Sequence, residues 1–68
     1  MLKTKDIKAE DTLVLIKEYP LYNPYYPVDT KFKFTGISII CGYRTLIRVL
    51  DSNLNTTYIP LSYFKKEI

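Results

Sequence analysis

The chain ends in Tyr58-Ile59-Pro60-Leu61-Ser62-Tyr63-Phe64-Lys65-Lys66-Glu67-Ile68, and the reading of this stretch decides the fold. Thr56-Thr57-Tyr58-Ile59 is rich in strand formers and is halted by Pro60, which has no N–H to give to a sheet ladder. Leu61-Ser62-Tyr63 fits one tight helical turn, and Phe64 onward reads as a short closing strand. Across such a turn Pro60 and Tyr63 share a face.

Strands dominate the rest of the chain. Thr12-Leu13-Val14-Leu15-Ile16-Lys17 is an apolar run too short for a helix. Lys31-Phe32-Lys33-Phe34-Thr35 alternates, with Phe32 and Phe34 on one face. After Gly36 the apolar register switches to Ile37 and Ile39, so a bulge at Gly36 is expected to bend the strand and return both sets to the core. Cys41-Gly42 reads as a tight hairpin connection, followed by a strand over Arg44–Leu50 and a turn at Asp51-Ser52-Asn53-Leu54-Asn55. Residues 3–10 are compatible with a helical turn or a preceding strand. Between the first two strands, Pro20, Pro24 and Pro27 stand among Tyr19, Tyr22, Tyr25 and Tyr26. Prolines at that density exclude a helix or central strand and predict an ordered excursion pinned by tyrosines.

A length of 68 residues allows one domain, 1–68, with residues 1–10 as a candidate extension. A chain this short buries only about 60% of its unfolded surface, yet its 47% hydrophobic content is enough for a core. Cys41 is the only cysteine, which excludes an intramolecular disulfide. The charged start and the lack of any apolar run near the roughly 20 residues that span a bilayer lead to the expectation of a cytoplasmic protein.

With no histidine and one cysteine, the usual zinc, haem and iron–sulfur ligand sets and the histidine-based nucleophile systems cannot be assembled. No cofactor is expected. Gly36 and Gly42 are isolated, so there is no phosphate-cradling loop. The carboxylates show no pairing suited to acid–base work, and the expectation is a chain that binds rather than catalyses.

From about Asp11 to Ile68 the order of elements resembles a Src-homology-3 domain. The resemblance implies an all-β fold, a five-stranded Src-homology-3-like barrel with a long Tyr/Pro-rich loop and a short helical turn before the last strand. The family's Ala-Leu-Tyr-Asp-Tyr signature falls on Leu15-Ile16-Lys17-Glu18-Tyr19, and its Pro-x-x-Tyr falls on Pro60-Leu61-Ser62-Tyr63 with the spacing intact. In that family these residues help form the grooves that grip a proline-rich peptide. The chain has no Trp, where the family places a groove-forming Trp near the position of Tyr43 or Arg44, and its long loop carries only Glu18 and Asp29 as acids. Ile7-Lys8-Ala9-Glu10-Asp11-Thr12-Leu13-Val14-Leu15 also resembles the opening of KOW-type barrels, with Glu10 where their Gly-Asp-x-Val pattern has glycine.

Seven tyrosines are dense for this length, and Tyr is favoured at binding surfaces for its rigid face and its hydroxyl. The expected groove is lined by Tyr19, Tyr22, Tyr25, Tyr26, Tyr58, Pro60 and Tyr63, with another protein as partner. The alternative is a nucleic-acid or ribosome-associated barrel that places Lys31, Lys33, Arg44, Arg48, Lys65 and Lys66 on phosphates and stacks tyrosines on bases. A small chain rich in Lys, Ile, Asn and Tyr is also the kind of regulator that a phage or mobile element in an AT-rich genome encodes.

Overall fold

The computed structural model describes residues 2–18 and 26–67. Five strands, β1 (Thr12–Leu15), β2 (Lys31–Cys41), β3 (Arg44–Leu50), β4 (Thr56–Pro60) and β5 (Phe64–Lys66), form one antiparallel sheet in the order β4-β3-β2-β1-β5. The sheet is open, with β4 and β5 at its edges. Two single 3₁₀ turns, Thr4–Asp6 and Leu61–Tyr63, complete the regular structure among the described residues. The first settles the reading of the N-terminal segment: the Asp6 carboxylate accepts the Lys3 N–H at 2.9 Å and holds the turn closed. No helix among the described residues is long and apolar enough to cross a membrane.

The core lies on one face of the bent sheet. Leu13, Leu15, Ile47, Val49 and Ile59 are fully enclosed, ringed by Phe32, Phe34, Phe64, Tyr26, Ile7 and Leu61. Period-two alternation produces this on β3, where Ile47 and Val49 point inward and Arg48 between them is half-buried on the outer face. The aromatic rings meet edge to face, Tyr26 on Phe32 at 4.9 Å and Phe32 on Phe64 at 5.5 Å between centroids. That geometry places the positive edge of one ring on the negative face of the next. β1 is shorter than expected because it leaves the sheet after Leu15: the Ile16 N–H donates to the Tyr63 carbonyl at 2.7 Å, on the second 3₁₀ turn.

β2 bends at Gly36. Phe34 pairs with Val49 and Ser38 with Ile47, so four steps along β2 match two along β3. Gly36 sits within this irregularity with φ +94°, and a Cβ there would lie 3.2 Å from the Ala9 Cβ. The bend is where the sequence places it, but its consequence for Ile37 and Ile39 differs from the expectation. Because β2 gains an even number of residues, side-chain parity is kept through the bulge. Ser38 takes the register of Phe34 but is itself exposed, and Ile37 and Ile39 stay on the outer face, 41% and 44% exposed. The hairpin also shifts by one residue. Cys41 pairs with Arg44, leaving Gly42-Tyr43 as the two-residue loop. Gly42 has φ +63° and Tyr43 does not lie at positive φ, the sign pattern of a type II′ turn.

Replacing Gly36 with Val is expected to cost more than about 1 kcal/mol in chemical denaturation, because the positive φ strains a branched side chain and its Cβ would crowd Ala9 at 3.2 Å. Glu10 occupies φ +81°, and Glu10→Gly is expected to stabilise the fold by about 0.5–1 kcal/mol, since glycine carries no Cβ penalty there. The exposed Glu10–Lys33 ion pair at 3.6 Å that is lost offsets little of this. An unchanged or lower midpoint for Glu10→Gly would contradict that account.

Candidate functional site

The residues expected to line one groove separate into four environments. Tyr19, Tyr22 and Tyr25 lie outside the described residues. Tyr26 is a core residue: only 6% exposed, it packs on Phe32 and donates its hydroxyl to the Asp51 carboxylate at 2.9 Å. Its expected place in a binding groove is therefore corrected. An aromatic ring with its single donor satisfied internally anchors the returning end of the Tyr/Pro loop and offers no face to a partner. Tyr58 is 40% exposed on the outer face of β4, directly across from Arg48 on β3. Tyr63 is half-buried against the core, and the Lys17 ammonium lies 5.2 Å from its ring centroid, within cation–π range.

Pro60 lines a cleft of about 280 Å³ together with Leu61 and Ser62 of the second 3₁₀ turn, Tyr43, Arg44 and Thr45 at the β2–β3 turn, and Leu2 and Lys3. The sheet order explains the meeting: Pro60 is paired with Leu46, so the turn that follows it faces the start of β3. Pro60 and Leu61 are buried and form an apolar floor, while the Tyr43 side chain is fully exposed. Among the described residues, the charged ones on the cleft are Lys3 and Arg44, and no carboxylate lines it. Tyr43 was not among the expected groove residues, yet its place immediately after Gly42 at the hairpin tip is the signal that could have found it.

The basic residues do not gather into one free patch. Lys31 bonds Glu67 at 2.7 Å, and this partner raises the lysine pKa by hydrogen bond and charge. Lys33 faces Glu10 at 3.6 Å, and Lys66 lies 3.4 Å from Asp11 and 3.2 Å from the Asp6 carbonyl. The Lys31–Lys33 and Lys66 side of the sheet is thus a mixed-charge stripe. Arg44, Arg48 and Lys65 have no ion-pair partner among the described residues. Arg44 and Arg48 share the outer face of β3, while Lys65 is on β5, at the other end of the strand order.

Asp51 is the one buried charged residue among those described. One of its carboxylate oxygens accepts the Asn53 and Asn55 N–H groups at 2.8 and 3.0 Å, and the other accepts the Tyr26 hydroxyl. These donors, led by the Asn55 N–H, hold its pKa below the ordinary value of 3.8 despite burial. Burial first, and then the bond to Asp51, push the Tyr26 phenol up to about 12.

No family model, no characterised protein and no solved structure matches the chain in comparisons of each kind.

The Tyr26–Asp51 pair sets two edges of stability. Asp51, with its pKa lowered by folding, contributes above the unfolded value near 3.8, and that contribution is lost as pH falls below it. Tyr26, with its pKa raised by folding, contributes fully below pH 10, and the contribution is lost as pH rises from 10 towards 12. Denaturation followed across pH 10–12 is expected to show a shallower alkaline decline for Tyr26→Phe than for the wild type. Parallel declines would mean that Tyr26 titrates normally.

Proposed function

We propose that the chain is a non-catalytic protein-binding module built on a Src-homology-3-like barrel, with the Pro60 cleft as its recognition surface. The observation that carries this reading is the cleft itself. It joins the first three residues of the Pro60-Leu61-Ser62-Tyr63 turn to Tyr43 and Arg44, the position where Src-homology-3 domains hold their groove-forming Trp. The β4-β3-β2-β1-β5 order, the 3₁₀ turn before β5 and the kinked β2 support the same fold reading.

The chemistry of the cleft selects its partner. An apolar floor with an exposed aromatic at its rim suits an extended segment that inserts a hydrophobic side chain. Lys3 and Arg44, with no acid on the lining, favour a carboxylate on that segment and disfavour the arginine of a standard proline-rich ligand. The ion pairing of Lys31, Lys33 and Lys66 makes phosphate binding on that stripe the weaker alternative.

Affinity capture from native lysate, with and without nuclease, tests this reading with wild type, Tyr43→Ala and Arg44→Glu. A protein partner that survives nuclease and binds Tyr43→Ala at least about fivefold more weakly is expected, a loss of roughly 1 kcal/mol as for an interface anchor. Tyr43 is fully exposed, so its removal should leave the melting temperature unchanged. Captured material that disappears with nuclease would replace this reading with the nucleic-acid barrel.

A further inference from the structure

The second half of β2 is hydrogen-bonded on one side only, among the described residues. β3 occupies one edge through the pairs Ser38–Ile47, Ile39–Leu46, Ile40–Thr45 and Cys41–Arg44. On the other edge β1 pairs only with Lys31–Lys33, and Glu10 and Asp11 reach only Phe34, at 2.8 and 2.9 Å. Beyond the Gly36 bend the strand projects past β1.

The two-residue loop fixes which backbone groups face the open side. A hairpin of this kind closes on a pair that exchanges both hydrogen bonds, here Cys41 and Arg44. Alternation then turns Ile39 towards β3 as well, and aims the N–H and C=O of Ser38 and Ile40 away from it. Only another extended backbone offers donors and acceptors at that spacing.

The side chains of this edge lack the features that keep edges apart. Ile37-Ser38-Ile39-Ile40-Cys41 has no charge and no proline, and Ile40 is 82% exposed. The two terminal strands are guarded: β5 carries Lys65 and Lys66, and β4 ends in Pro60.

We propose that Ile37–Cys41 is a self-association edge, on which the same strand of a second copy pairs antiparallel about a twofold axis through Ile39. That register lets Ser38 of each copy exchange both bonds with Ile40 of the other. It sets the two Ile39 side chains against each other at the close, non-hydrogen-bonded position, and Ile37 opposite Cys41. A second copy fits because the segment is self-complementary: it is uncharged on both sides of the contact, so the net charge of +3 on each copy is not brought face to face there, and its outward Ser38 and Ile40 groups match one another about the twofold. The contact joins β4-β3-β2 of each copy into one continuous sheet. It adjoins the Pro60 cleft through the Ile40–Thr45 and Cys41–Arg44 pairs but shares no lining residue with it, so either reading can fail alone.

Sedimentation velocity over a concentration series tests the proposal, combined with amide exchange of Ser38 and Ile40. A monomer–dimer equilibrium is expected, with these two amides gaining protection as concentration rises. Ile39→Lys sets like charges directly opposite in the twofold register and should weaken association at least about tenfold. Ile39→Val should retain it, and at concentrations where the wild type is monomeric both variants should keep its melting temperature, because Ile39 is 44% exposed. A monomer up to about 1 mM, where even weak specific pairs populate, would overturn the proposal. So would a dimer indifferent to Ile39→Lys, or one that leaves the Ser38 and Ile40 amides unprotected.

Discussion

An eleven-residue strand cannot serve two neighbours of different direction unless it changes course, and the course change at Gly36 is the constraint on which the rest of this structure depends. Before it, β2 lies between β1 and β3 and sends Phe32 and Phe34 into the core. After it, β2 keeps β3 and abandons β1. The extra residues on β2 absorb the bend, and a φ of +94° with Ala9 only 3.2 Å from where a Cβ would stand makes any side chain at this position strained. Both surfaces of interest follow from this point. The departing hairpin brings Tyr43 and Arg44 to the turn after Pro60, and the strand that departs leaves one edge without a neighbour.

Asp51 does for the other end of the sheet what Gly36 does for the middle. The turn from β3 to β4 has Leu54 at φ +65°, a conformation that costs a branched side chain free energy. A carboxylate that accepts two N–H groups of the same turn offsets that cost, and its remaining oxygen holds Tyr26 where the Tyr/Pro loop re-enters the fold. Charge-assisted hydrogen bonds of this kind are stronger than neutral ones, so one side chain fastens both a tight turn and Tyr26 to the core. This is why a carboxylate is tolerated at 8% exposure: it arrives with its partners.

The strands, the 3₁₀ turn after Pro60 and the Gly36 bend were legible in the sequence because each rests on a local rule: alternation, a missing N–H, an isolated glycine at a register change. The fate of Ile37 and Ile39 was not. A bulge of one residue would have turned them inward and a bulge of two keeps them outward, and nothing in Phe34-Thr35-Gly36-Ile37 distinguishes these. Tyr26 was misjudged for a related reason. Its neighbours Pro24, Tyr25 and Pro27 mark a surface loop, whereas its burial depends on Asp51, 25 positions away, and a long-range hydrogen bond leaves no local trace. The cleft was half legible, since Pro60 declared itself by spacing, whereas Tyr43 had only its place after Gly42 at a hairpin tip, and its meeting with Pro60 depends on the sheet order.

The ion pairs show how a small basic chain divides its surface. Lys31, Lys33 and Lys66 are matched to Glu67, Glu10 and Asp11 across β1, β2 and β5. Such exposed pairs add little to stability, so their effect is mainly to neutralise that side. The unmatched Arg44 and Arg48 lie on the opposite part of the sheet, beside Ile39, Leu46 and Tyr58. An arginine next to half-exposed aliphatic and aromatic groups has the composition of an interface core, where Arg and Tyr are enriched and Lys is depleted.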